Sequence, residues 1–335
     1  MTYRCFTRCL ASLLLTLLAG CTPGGLLIKP VSLQQGLEET VIQRDQGLWV
    51  NDKIAIINVD GVIANKAQGW GLFGSGENPV ALFQEKLDFA KKDANVKAIV
   101  LRINSPGGTV AASDVMYHLL ARFKQDTGKP VIASILDLGA SGAYYLACGA
   151  DGIIAQPTSV TGSIGVIFQT VSVAGTMEKI GVSAVAIKSG QLKDMASPLT
   201  RLRPKARQVL TGIVMDFYDR FLQVVEDGRG NLSRDQIVPL ADGRVYTASQ
   251  ALEQGLIDRI GYPTDAVAWA KELAHVQRAK TVIYHRDINY TPNIYAGAQA
   301  QSNASLIDLK LPEWLRAQGP QFLYLWQPDP LNASD

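Results

Sequence analysis

Between residues 53 and 188, short apolar, β-branched runs alternate with segments of helical spacing, and few folds accept that order. The runs at 53–59, 98–103, 130–136, 152–155 and 182–187 read as strands. The run at 98–103, Ala-Ile-Val-Leu-Arg-Ile, is nearly continuous, which predicts a strand covered on both faces. Residues 80–92 carry Leu82, Phe83, Leu87 and Phe89 at helical spacing, and 110–124 form a second helical segment. A short helix is expected from Ser141 to about residue 149, and another ends at Gly181. Strand and helix in turn predict an α/β fold of repeated βαβ units around a largely parallel sheet. A helical C-terminal part comes next: 204–227 with Pro204 in its first turn, then 233–240 and 247–253, opening on Ser233 and Thr247 as N-caps. Beyond residue 278 the pattern is less regular, with scattered prolines.

The N-terminus is a processing signal rather than part of this fold. Arg4 and Arg8 precede a short apolar run at 10–18, and Leu18-Ala19-Gly20-Cys21 ends it with small residues before a cysteine. That order describes a secretory signal, and the run is well short of the roughly 20 residues that span a bilayer. The ending resembles a bacterial lipobox, which implies cleavage before Cys21 and lipidation of that residue. Of the 4 cysteines, Cys5 and Cys9 leave with the signal and Cys21 carries lipid. Cys148 is then left without a disulfide partner and reads as a small buried apolar residue. A net charge of +2 gives no nucleic-acid footprint. Gly69, Gly71 and Gly74 have the spacing of a dinucleotide fingerprint, but no strand leads into them and Pro79 interrupts the segment after them, so no cofactor is expected. No metal site is expected either.

Chemistry concentrates in four short segments. Asn104-Ser105-Pro106-Gly107-Gly108-Thr109 comes after a strand and precedes a helix, where backbone N–H groups can point into a cleft and serve as oxyanion donors. Gly139-Ala140-Ser141-Gly142-Ala143 sets a serine among small residues at a helix start, where a cap or a nucleophile is at home. Thr161-Gly162-Ser163 is a further turn, and Lys193 stands 52 residues after Ser141 in Lys188-Ser189-Gly190-Gln191-Leu192-Lys193-Asp194. The 3 histidines, His118, His275 and His285, all lie outside the Ser141–Lys193 interval. A serine nucleophile needs a base, and lysine supplies one on folds without a Ser-His-Asp arrangement.

Together these segments resemble the signal peptide peptidase A family, membrane-attached bacterial serine peptidases related to the Clp protease and crotonase folds. The resemblance covers about residues 53–261 and includes Gly243-Arg244-Val245-Tyr246-Thr247 and Gly255-Leu256-Ile257-Asp258. It implies Ser141 as nucleophile, Lys193 as general base, Ser163 as the group orienting the lysine amine, and Gly108 with Gly142 as the oxyanion hole. One departure is Ala143, where the family commonly has a second glycine, so a methyl is expected to narrow the pocket. Lysine has an ordinary pKa near 10.4, so roughly one amine in 2,500 is neutral at pH 7. The working site must therefore shield Lys193 from water, and Asp194 must point away.

The expected organisation is a lipoprotein-type signal peptide at 1–20, a tether and N-terminal extension at 21–52, a peptidase domain at 53–278 and a C-terminal extension at 279–335. The resemblance implies an enzyme of the bacterial cell envelope, anchored by lipid on Cys21 and facing the periplasm or exterior. Its substrates would be signal-peptide remnants or short unfolded segments, cut by a ring-like homo-oligomer with serine and lysine from neighbouring subunits. A crotonase-like acyl-CoA enzyme shares the architecture, but an export signal is at odds with cytoplasmic acyl-CoA chemistry. A catalytically silent scaffold binding membrane proteins would have no need of both Ser141 and Lys193.

Overall fold

The alternating apolar runs become the middle of a sheet whose two faces are both covered. The computed structural model describes residues 36–66, 77–286 and 321–326. The signal segment, Cys21 and residues 67–76 of the glycine-rich stretch lie outside the described residues. In chain order the elements are β1 (Glu38–Arg44), β2 (Lys53–Asp60), α1 (Pro79–Lys92), β3 (Val96–Ser105), β4 (Gly107–Thr109), α2 (Val110–Thr127) and β5 (Val131–Ala140). Next come α3 (Gly142–Ala147), β6 (Gly152–Ala155), β7 (Val160–Gly162), β8 (Ile167–Gln169), α4 (Ala174–Lys179) and α5 (Pro204–Gly228). The rest are α6 (Arg234–Ile237), β9 (Val245–Thr247), α7 (Ala248–Glu253), β10 (Arg259–Ile260), α8 (Pro263–Leu273), β11 (Lys280–His285) and β12 (Gln321–Leu325).

The main sheet runs β1-β11-β2-β3-β5-β6-β10, with β7 attached to β5 and β9 to β7. From β11 to β10 every neighbouring pair is parallel, and β1 is antiparallel at one edge. Strand residues alternate between faces with a period of two. Ala55, Ile57, Ile99, Leu101, Ala133 and Ile135 therefore share one core with α1, α2 and α3. Ile54, Ile56, Ala98, Val100 and Ile132 face the other way, against Ala266, Val267, Trp269 and Ala270 of α8. The expected α/β fold with a largely parallel sheet is borne out.

Local chemistry sets the helix ends. Asn78 caps α1 by accepting from the N–H groups of Val80 and Ala81, with Pro79 in the first turn. Thr109 caps α2 by accepting from Ala112, and Gly128 closes that helix at φ 65°. Each such cap contributes about 1 kcal/mol. On α1, Phe83 and Leu87 are buried, each worth roughly 1.5–3 kcal/mol.

Two expectations fail. Residues 182–187 form no strand: Val185 and Ile187 are 87% and 101% exposed, and no neighbouring strand pairs with them. Apolar β-branched composition makes a strand only where a partner edge is available. Conversely, the tail beyond residue 278 supplies β11, which lies between β1 and β2 with Val282, Ile283 and Tyr284 buried. With β1 and β11 in the sheet, the ordered unit extends past both ends of the 53–278 stretch.

Candidate active site

Three strands bring three of the four chemical segments, all but the one carrying Lys193, to one end of the sheet. In β5–β7, Ala140 pairs with Gly162, so the next residues, Ser141 and Ser163, leave the sheet side by side. The Ser141 N–H donates to the Gly162 carbonyl at 2.7 Å, and Ser163 N–H donates to Arg244 O at 2.7 Å. Side chains hold β7 in this register. Thr161 Oγ1 donates to Gly139 O at 2.7 Å, and Ser159 Oγ donates to Leu136 O. β3 is tied in through Ser105, which pairs with Gly139 and whose Oγ accepts the Gly107 N–H at 3.1 Å.

Both serines sit at positive φ, 54° for Ser141 and 50° for Ser163. Ser141 combines this with ψ −117°, outside the regions that non-glycine residues ordinarily occupy. Holding such a residue costs about 1–3 kcal/mol, and strain of this kind concentrates at functional turns. The Ser141 side chain makes no capping bond to α3, so the structure does not use it as a helix cap. It is 1% exposed and lines a cavity of about 410 Å³ together with Ser163, Val166, Met215, Tyr218 and Leu325.

The glycines converge on the same place. Gly107 is at φ 96°, and a Cβ there would fall 2.6 Å from Gly142 N. A Cβ on Gly142 would stand 3.2 Å from Gly108 N and 2.2 Å from Ser113 Oγ. On Gly108 it would meet Ile63 O at 1.8 Å. Gly107, Gly108 and Gly142 are thus packed so closely that a side chain on any of them would strike a neighbouring atom, and the backbone nitrogens of Gly108 and Gly142 lie near one another. Ala143, the departure from the family pattern, is fully buried in the main core and does not line the cavity, so its methyl does not narrow it.

Lys193 is not brought to this cavity within the chain. It is exposed, in a turn where its N–H donates to Gly190 O at 3.1 Å. Asp194 does point elsewhere. Its carboxylate accepts from Lys188 and, at 2.5 Å, from Arg203, and the Lys188 hydrogen bond holds its pKa below the ordinary value. Sequence reasoning overlooked Ser113, Leu325 and Trp326. The first gave no local signal, whereas Phe322-Leu323-Tyr324-Leu325-Trp326 is an apolar run in an otherwise polar tail. Among the described residues no group of three or more His, Cys, Asp or Glu is placed to hold a metal ion.

Comparison with known proteins gives the family of the chain. The description of peptidase family S49 matches residues 123–277. A candidate signal peptide peptidase SppA from Enterococcus faecium is 37% identical over 71% of this chain and 68% of its own length. A candidate protease of Synechocystis sp. is 39% identical over 66% and 74%. Protease 4 of Haemophilus influenzae is 32% identical over 84% of this chain but 43% of its own length. A ClpP1 variant from Listeria monocytogenes superposes with a TM-score of 0.42 at 15% identity, covering 63% of this chain and 94% of that one. On the sequence relationships, the chain belongs to peptidase family S49 and is a serine peptidase.

Proposed function

We propose that Ser141 is the nucleophile, with Lys193 of a neighbouring copy as its general base, in an enzyme that cuts signal-peptide remnants or short unfolded segments at a membrane surface. The observation that carries this reading is the β5–β7 register, which sets strained Ser141 beside Ser163 at a cavity, next to the closely packed Gly108 and Gly142. Ser141 Oγ attacks the peptide carbonyl, the lysine amine takes the proton and returns it to the leaving amine, and water then hydrolyses the ester. Ser163 orients the amine, and the two N–H groups stabilise the oxyanion.

The neighbouring copy is invoked because of the segment that carries Lys193. Ile180, Val185, Ile187 and Leu199, in the same stretch of chain, are exposed although they are apolar. A second copy packed head to tail would cover these side chains and desolvate the amine, and such contacts close into a ring when the rotation allows. Attachment rests on Cys21, since multiple acyl chains give lasting anchorage where one is marginal. That places the enzyme in a bacterial envelope, on the exported side.

A fluorophosphonate probe should label the wild type and not Ser141→Ala. Mixing Ser141→Ala with Lys193→Ala subunits should restore part of the peptidase activity that each lacks. No recovery despite proven co-assembly would place serine and lysine in one chain.

A further inference from the structure

The segment Gly243-Arg244-Val245-Tyr246-Thr247, which has no task in the serine–lysine chemistry, is folded against the Ser141 cavity. β9 pairs antiparallel with β7, Val245 against Gly162 and Tyr246 against Thr161. That register brings the turn before β9 to the two serines. Ser163 N–H donates to Arg244 O at 2.7 Å, and Gly243 N–H donates to Ile164 O at 3.1 Å. Asp242 and Gly243 line the cavity together with Ser141, Ser163 and Tyr218. Among the described residues that line it, Asp242 alone carries a carboxylate.

That carboxylate is clamped by the residue two positions on. Arg244 Nε donates to Oδ1 at 2.8 Å and to Oδ2 at 3.0 Å, and Nη2 donates to Oδ2. The Arg244 backbone N–H adds a bond to Oδ1 at 3.1 Å. These bonds, led by those of the Arg244 side chain, hold the Asp242 carboxyl down to about 2, so it is charged throughout the neutral range. Its charge is felt at the cavity: burial raises the Tyr218 pKa, and Asp242 raises it further. The other titratable groups around the pair are Tyr246, whose hydroxyl donates to Leu240 O at 2.9 Å, and, beyond Tyr218, Arg234, which is paired with Asp219 and Glu226.

The side chains of Asp242 and Arg244 are 49% and 60% exposed, and an ion pair this open adds little to stability. Its consequence is electrostatic. A bare carboxylate on the wall favours the charged form of any amine that enters, and a guanidinium locked onto it offsets that pull. A lysine must be uncharged to take the Ser141 proton. We propose that Arg244 is a positioning residue that neutralises Asp242 at the cavity wall and so lets the lysine of a neighbouring copy stand there without a proton. This rests on the reading of that lysine as the base of Ser141.

The test is the pH dependence of kcat/KM on a peptide without titratable groups, measured on the full chain in detergent. Wild type is set beside Arg244→Gln, Arg244→Lys, Asp242→Asn and the double variant Asp242→Asn/Arg244→Gln. Asparagine keeps the oxygen that accepts the backbone N–H of residue 244, so it removes the charge and spares the turn. An opposite charge at close range moves an amine by about 1–3 pH units, and the half-exposed position reduces this. The ascending limb of Arg244→Gln should therefore move up by about 0.5–1 pH unit, roughly three- to tenfold lower activity at pH 7, with the alkaline plateau kept. Arg244→Lys and the double variant should both return the limb to its wild-type position. Asp242→Asn alone should leave it level or lower. An unmoved limb in Arg244→Gln, even with a lower plateau, would overturn the proposal and make Arg244 a support for the turn. A shift that the double variant does not reverse, or an upward shift in Asp242→Asn, would overturn it too, since Asp242 would not be the source. Full activity in Lys193→Ala would instead refute the lysine base beneath the proposal.

Discussion

Gly142→Ala is a test of how tightly the oxyanion turn is built. The new methyl would stand 2.2 Å from Ser113 Oγ, with Tyr324 O at 3.1 Å and Gly108 N at 3.2 Å next. Ser113 is fully buried and its Oγ is committed to Thr109 O at 3.0 Å, so it cannot swing out of the way freely. Overpacking of this kind costs about 1–3 kcal/mol, offset by about 0.5 kcal/mol from the lower chain entropy of unfolded alanine. The net expected loss is about 2 kcal/mol. Ser113→Ala alone removes one buried hydrogen bond, worth about 1 kcal/mol. In the double variant the worst contact is gone and only the two tight ones remain. Gly142→Ala should then be nearly neutral, and the double variant should be more stable than Gly142→Ala alone by about 1 kcal/mol. Urea unfolding followed by tryptophan fluorescence measures all four proteins, and the cycle should give a coupling of about 1.5–2 kcal/mol. Additivity within about 0.5 kcal/mol would refute the claim that Ser113 is what excludes a side chain at position 142. Gly108→Ala is the contrast: its methyl meets backbone, Ile63 O at 1.8 Å, so no side-chain truncation should rescue it.

Ser141→Gly should abolish activity yet be more stable than Ser141→Ala by about 1 kcal/mol, because glycine tolerates the φ 54°, ψ −117° conformation; equal urea midpoints would argue against strain there. Asp258 accepts from both Arg229 terminal nitrogens, at 2.7 and 2.8 Å, and from Ile153 N–H at 2.7 Å. Burial raises its pKa, but these bonds outweigh it and leave it below the ordinary carboxylate value. The pair therefore stabilises the fold above the ordinary carboxylate pKa, and that stability is lost as pH falls through the depressed value. Asp258→Asn should cost about 2–3 kcal/mol at pH 7, a gap that closes in acid, whereas a pH-independent gap in urea midpoints would contradict the ion-pair account. Feeding cells a clickable fatty acid should label the wild type and not Cys21→Ser, and equal labelling would end the lipoprotein reading.

Local features were legible in the amino-acid order alone. The runs at 53–59 and 98–103 could be read as strands because each carries its own apolar pattern. The helix start at Thr247 is a matter of capping chemistry within four residues. Ser141, Ser163, Gly108 and Gly142 stood out because turns at strand ends have their own vocabulary of serine and glycine. Whatever depends on a partner distant in the chain was settled by tertiary packing. Residues 182–187 have strand composition but find no edge to pair with, while 280–285 do, between β1 and β2. No local pattern announces that Ala140 pairs with Gly162, yet that register puts the two serines side by side. Nor does any announce that Gln321–Leu325 crosses some 200 residues of sequence to lie between β4 and β8, since a strand's hydrogen bonds are made to another strand and not to its own neighbours.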